Sequence, residues 1–222
     1  YAVSFDRGTT AAEMSYFSGD GTSYSDMSYT SSGLPRNVNI RAKIRNNTTT
    51  TENLTYVPDD NFEQALIDLG YDDVIDDYVL TANISVITDL DISSKEISDL
   101  TGIDDFTALT DLDCEDNLLT SLDISNNTAL TWLHCFGNQL TALDVSNNTA
   151  LTELRCGQNA LTSLDVSANT SLTLLRCQGN QLTSLDLSNN TGLTNLRCKG
   201  NQLTALDLSN NTVLDEVHCG AN

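Results

Sequence analysis

The chain has 222 residues, with 31 acids against 10 bases and a net charge of −21. A charge of this sign repels nucleic acid and anionic membrane surfaces, and no apolar run is long enough to span a bilayer; binding to nucleic acid and membrane insertion are therefore excluded from the expected functions. The charge is unevenly placed: residues 1–56 hold five acids and five bases, which leaves 26 acids and 5 bases for the remainder. A shift this sharp marks a domain boundary. The acidic part reads first as a solvated surface, with cation binding as a second use. The sequence does not open on Met and shows no signal peptide, so a piece of a longer protein is expected.

In chain order, residues 1–56 are dense in Tyr, Ser and Thr. The alternation NVNIRAKIR at Asn37 to Arg45 predicts short strands, and TTTTEN at Thr48 to Asn53 predicts a linker. This segment is expected to be β-rich, with no readable function. Residues 57–82 follow, opening with VPDDNFEQALIDLGYDDVIDDYV. Asp59 or Asp60 can cap a helix on which Phe62, Leu66 and Leu69 share a face, and Gly70 can end it. A repeat array needs its first turn covered, so this helix is the expected N-terminal cap.

Residues 83–222 are repetitive, and the period decides the fold. Six cysteines, Cys114, Cys135, Cys156, Cys177, Cys198 and Cys219, stand 21 residues apart. Each unit holds two similar halves, L-x-x-L-x-C-x-x-N-x and L-T-x-L-D-x-S-x-N-T-x. In an extended strand alternate side chains share a face, so Leu and Cys of L-R-C point inward and Arg outward. The Asn of each first half (Asn117, Asn138, Asn159, Asn180, Asn201, Asn222) can turn inward and bond the backbone at the bend. An earlier, weaker repeat begins at Val86. Its Ile92 precedes Cys114 by 22 residues, and Lys95 stands where Asn is expected.

On these motifs, from Val79 to Asn222, the chain resembles the nested 21-residue (IRREKO-type) class of bacterial leucine-rich repeats. The segment before them resembles the helical caps of secreted proteins of the Bacteroidetes group. The resemblance implies an α/β-type repeat solenoid dominated by parallel β-structure, with about seven first-half strands in one sheet. The second halves are expected as another strand row or as extended segments. The chain ends at Asn222 in mid-turn, so the native array is expected to continue.

Parallel neighbours point alike, so the cysteines are expected as free, buried thiols, with no disulfides. A metal–thiolate ladder lacks the usual C-x-x-C pairs. The LDxS aspartates (Asp123, Asp144, Asp165, Asp186, Asp207) recur once per turn. At a spacing near 4.8 Å each adjacent pair costs roughly 0.9 kcal/mol in water, so something offsets it. Hydrogen bonding to Ser, Thr or turn N–H groups is one answer, and calcium as a cofactor is the other.

The outward position before each core cysteine reads Asp113, His134, Arg155, Arg176, Arg197, His218, and Lys199 lies two residues beyond Arg197. The column two residues earlier carries Trp132, the single Trp of the chain. Three stacked arginines flanked by His134, His218 and Trp132 suit an extended acidic ligand, a protein or an anionic polysaccharide. The alternative is that the arginines pair with Glu153, Glu216 and nearby acids and only soften the net charge. The two histidines are roughly 19 Å apart, too far to share one metal. No nucleophile elbow, phosphate loop or zincin motif occurs, so no enzyme is expected. The expected function is a monomeric extracellular or cell-surface binding module, and the alternative is a structural spacer of a longer secreted protein.

Overall fold

A computed structural model describes residues 2–5, 12–15 and 53–222. The chain falls into two compact units, Tyr1–Val38 and Asn39–Asn222. In the first, β1 (Ala2–Phe5) and β2 (Ala12–Ser15) pair antiparallel, with Ala2 opposite Ser15. The strands expected at Asn37 to Arg45, and the linker expected at Thr48 to Asn53 save its last residue, lie outside the described residues.

The second unit opens with β3 (Leu54–Tyr56), which pairs antiparallel with β4 (Tyr78–Leu80). Residues before position 57 therefore take part in the solenoid unit. Between these strands lies α1 (Asp60–Asp68). Asp59 is its N-cap: Oδ1 accepts from the backbone N–H of Asn61 and Phe62. Its Oδ2 accepts from Ser98 N, Ser98 Oγ and Asp99 N, tying the helix start to the first repeat turn. Phe62, Ala65 and Leu66 join the core, and Phe62 stacks on Phe106 at 6.2 Å. Leu69, expected on the same face, is 43% exposed, because it is the C-cap and the chain turns away at Gly70 (φ +82°). Glu63 is buried, and its carboxylate accepts from the backbone N–H groups of Asp76, Asp77 and Tyr78. It thereby fixes the return strand β4.

After the short helix α2 (Thr81–Ile84) come seven strands: β5 (Asp89–Asp91), β6 (Asp111–Asp113), β7 (Trp132–His134), β8 (Glu153–Arg155), β9 (Leu174–Arg176), β10 (Asn195–Arg197) and β11 (Glu216–His218). A 3₁₀ turn, Ile103–Asp105, separates β5 from β6. The strands form one sheet in sequence order, and every pair described is parallel. The architecture is a parallel-β leucine-rich repeat solenoid, as expected. The second halves are extended segments and turns, with no second strand row.

The reason lies in two columns of asparagine. The first-half Asn behaves as expected: Asn138 Nδ2 donates to Cys114 O and Cys135 O, while Oδ1 accepts from Leu119 N. Asn117, Asn159, Asn180 and Asn201 repeat the arrangement on their own coils. A second column, not foreseen, runs through the N-T of each second half. Asn169 is fully buried and donates to Val145 O and Asn148 O, and Asn127, Asn148, Asn190 and Asn211 do likewise. Side-chain amides thus satisfy carbonyls that a ladder would otherwise satisfy, so the second halves need no strand. Between the columns lie layers of Leu, Ile and Val with Cys114, Cys135, Cys156, Cys177 and Cys198, all fully buried. In the irregular first repeat Ile92 occupies the cysteine level, and Asn117 Oδ1 accepts from Lys95 N and Ile97 N across the missing Asn. Ser94 adopts the left-handed φ that recurs at Asp116, Gly137, Gln158, Gly179 and Gly200, and Glu96 adopts it in this turn alone.

Two substitutions test this account. Asn169→Ala should lower unfolding free energy by about 2 kcal/mol, since two buried carbonyls lose their donor, whereas Thr170→Ala on the exposed turn should change it by under about 0.5 kcal/mol. Asp59→Ala should cost about 2–3 kcal/mol by denaturant titration, from the lost cap and the bonds to Ser98. Burial raises the Asp59 carboxyl, but its bonds to Ser98, Phe62 and Asp99 outweigh this and hold it below the ordinary value. The stability it adds is complete above the usual aspartate range and is lost as pH falls through the lower folded value, a loss that Asp59→Ala should not show.

Candidate functional site

The outer face of the parallel sheet carries two columns of side chains in register. One reads Asp89, Asp111, Trp132, Glu153, Leu174, Asn195, Glu216, and the other Asp91, Asp113, His134, Arg155, Arg176, Arg197, His218. Acids alone occupy β5 and β6, whereas β8 to β11 carry Arg155, Arg176, Arg197 and His218 with Glu153 and Glu216 among them. The face is therefore divided by charge, with Trp132 and His134 of β7 at the junction.

The basic half shows partial internal pairing. Arg155 Nη2 lies 2.6 Å from Glu153, and its guanidinium stands 5.7 Å from the Trp132 ring. Arg197 Nη2 lies 2.7 Å from Glu216, which also accepts from His218 Nε2 and from Asn195. Arg176 differs. Its own strand supplies Leu174 and the next supplies Asn195, and among the described residues it has no carboxylate within ion-pair distance. Burial, then the charges of Arg155 and Arg197, hold its guanidinium below the ordinary value. Lys199 and His218 are exposed at the same end. Trp132 is half-buried, its ring lying on the imidazole of His134 with centroids 3.3 Å apart.

His134 corrects the expectation. It was expected to flank the arginines on the open face, yet it is 1% exposed. Its Nε2 lies 2.8 Å from Glu153 Oε1, and its Nδ1 faces Asp113 at 3.6 Å and Glu115 at 3.5 Å. Burial raises the Asp113 carboxyl, but His134 and the Glu115 N–H outweigh it and the net shift is downward. Glu115 is pushed up, by burial first and then by Asp113. Glu153 is lowered: His134, Trp132 and Arg155 outweigh its burial. The pattern x-C-x, with an acid on each side of Cys114, was the available signal for Asp113 and Glu115. Glu115 entered no expected site.

The LDxS aspartates lie elsewhere, on the second-half turns. Each Oδ1 accepts from the backbone N–H two residues on: Asp123 from Ser125, Asp144 from Ser146, Asp165 from Ser167, Asp186 from Ser188 and Asp207 from Ser209. Bonds from the Ser side chain and from its backbone N–H together hold each carboxyl below the ordinary value. The geometry gives each aspartate a local turn-forming role.

Comparison with known proteins agrees with the architecture. The family model described as LVIVD repeat matches residues 135–155, a single turn from one ladder cysteine to the residue before the next. Internalin J of Listeria monocytogenes is 40% identical over 72 residues, which cover 32% of this chain and 8% of that protein. The solved functional domain of internalin J, described as including a cysteine ladder, superposes with a TM-score of 0.68 at 37% identity, covering 79% of this chain and 44% of that one. A leucine-rich repeat protein of Leptospira interrogans superposes with a TM-score of 0.59 at 25% identity over 63% of this chain and 38% of its own. The chain thus spans less than half of each relative. Fold and likeness together place it among leucine-rich repeat solenoids of the kind found in bacterial proteins.

The cysteine column gives a direct test. The five inner thiols are buried, and burial pushes them well above the ordinary thiol range, while Cys219 is partly exposed. A disulfide reagent at neutral pH should therefore modify about one thiol per native chain, and all of them after denaturation. Rapid modification of several native thiols would contradict the packing.

Proposed function

We propose that this chain is a non-catalytic binding module of an extracellular or cell-surface protein. It engages an acidic ligand, a protein segment or an anionic polysaccharide, through the basic half of the sheet. The observation that carries this reading is Arg176. This half-buried guanidinium stands beside two others with no carboxylate within ion-pair distance among the described residues, Glu153 and Glu216 acting on it only from farther away. A bound carboxylate or sulfate would supply the missing counter-charge and could take the planar fork of two donors. Arg155 and Arg197, held by Glu153 and Glu216, frame that position, and Lys199 and His218 extend it. Trp132 offers its half-buried ring at the border, suited to an aromatic or sugar contact. The outer face is open and shows no constellation of nucleophile, base and enclosed pocket, which favours binding over catalysis.

The repeats fit the nested 21-residue class, with α1 as the N-terminal cap over Phe106 and the turn at Ser98. Residues 57–82 are taken as the cap, joined through β4 to β3 (Leu54–Tyr56), and 83–222 as the array. A structural spacer is the second reading. It is favoured by the second halves, whose Asp, Asn and Ser groups largely bond within the array. Calcium on the LDxS aspartates would act through the oxygen that each leaves outside its turn.

Two variants separate the readings. Binding of the wild-type chain to an array of uronate and sulfated polysaccharides and acidic peptides should be salt-sensitive. Arg176→Ser should weaken it about tenfold, equivalent to roughly 1.4 kcal/mol. The triple change Arg155→Ser, Arg176→Ser, Arg197→Ser should abolish it. Binding unaltered by the triple change, or absent at low salt with and without calcium, would leave the spacer reading.

A further inference from the structure

The acidic half of the sheet brings together a different set of side chains, none of its donor atoms being an arginine's. β6 ends at Asp113, and Cys114 turns inward, so Asp113 and Glu115 both lie on the outer side. The register pairs Asp113 with His134 of β7. Three potential donor atoms, one from each of Asp113, Glu115 and His134, lie within 4.8 Å of one another. From Nδ1 of His134 the carboxylate oxygens stand at 3.6 and 3.5 Å, too far for good hydrogen bonds. Those separations match a coordination shell: two donors each about 2.1 Å from a tetrahedral ion are roughly 3.4 Å apart.

The orientation of each donor is determined by its neighbours. Glu153 Oε1 lies 2.8 Å from Nε2 of His134. In the neutral imidazole this bond keeps the proton on Nε2, and the Nδ1 lone pair faces the two carboxylates. A carboxylate behind the far nitrogen of a ligating histidine is the usual support of such a ligand. Glu153 is in turn held by Arg155 at 2.6 Å, and the Trp132 ring lies on the imidazole and blocks its rotation. Asp113 uses Oδ1 to accept from Glu115 N at 3.0 Å, which leaves Oδ2 toward His134. The arrangement is not a property of the repeat. At the positions of Asp113 and Glu115 the next turns carry His134 and Phe136, Arg155 and Gly157, Arg176 and Gln178.

A second trio, Asp60, Glu63 and Asp77, lacks this character. Glu63 spends both its oxygens on backbone N–H groups of residues 76–78. The trio has no nitrogen donor, and Glu63 is committed to the turn before β4.

We infer that Asp113, Glu115 and His134 form a binding site for one divalent transition-metal ion, with Glu153 as the outer carboxylate that orients the histidine. One imidazole with two carboxylates suits zinc and its first-row neighbours, whereas calcium and magnesium take oxygen ligands. Three protein donors leave a coordination position open beside Trp132. The ion would link β6 to β7 and place positive charge on the acidic half of the face.

The test uses the chain freed of metal by chelator and dialysed. Zinc alone is titrated by calorimetry, and cobalt(II) alone is followed by its visible absorption. One zinc per chain is expected, with a cobalt spectrum of four- or five-coordinate intensity and a higher melting temperature with zinc. His134→Ala should abolish binding. Because that change opens a cavity, Glu115→Gln and Asp113→Asn carry the decision, each expected to fold normally by circular dichroism and to weaken zinc at least tenfold. Cys219→Ser and Arg176→Ser should leave the zinc affinity unchanged. Stoichiometric binding unaffected by Glu115→Gln and Asp113→Asn would overturn the assignment, as would loss in Cys219→Ser or the absence of one-to-one binding at tens of micromolar zinc. The proposed acidic-ligand site stands or fails separately, on Arg176→Ser, which touches none of these groups.

Discussion

Every coil of this solenoid depends on an amide side chain placed where the backbone has no partner of its own. The strands are three residues long, so most of each 21-residue turn lies outside any ladder. Buried carbonyls cannot be left without donors at a cost of one to a few kcal/mol each. The two asparagine columns meet that requirement, one at the bend after each cysteine and one in each second half. Each amide bridges its own coil and the one before, so coils are coupled to nearest neighbours through directional bonds as well as through Leu packing.

That coupling explains why the outer face can vary. Core positions are occupied by Leu, Cys and Asn, and the asparagines complete the backbone. The outward residues of each strand take no part in this backbone bonding and differ from turn to turn. Strict register then converts differences between turns into columns, with neighbours about 4.8 Å apart. Charge becomes a surface pattern, acids alone over β5 and β6 and the arginines with two glutamates over β8 to β11. At that spacing like charges repel, and the molecule answers this differently in different places. Glu153 and Glu216 pair with Arg155 and Arg197, the LDxS aspartates bond their own turns, and Arg176 has no carboxylate within ion-pair distance among the described residues.

The junction strand β7 is where the two halves meet. Trp132 covers His134, and Glu153 from the basic side reaches back to its imidazole. A histidine under an aromatic ring, with carboxylates on both nitrogens, is fixed in orientation by groups from three successive strands. No single turn could build it.

The sequence by itself determined the period, the inward Leu and Cys, the first asparagine column, the Asp59 cap and the arginine column. These follow from local rules: side chains alternate along a strand, and an exact 21-residue period carries each position onto its neighbour. The second asparagine column was equally present in the text. Its role was not legible, because N-T in a turn looks the same whether the amide faces solvent or a buried carbonyl. The burial of His134, the trio it forms with Asp113 and Glu115, and the isolation of Arg176 were decided only by tertiary structure. Each depends on which side chains adjacent strands place together, and on how far Trp132 and Glu153 reach, distances that spacing along the chain does not contain.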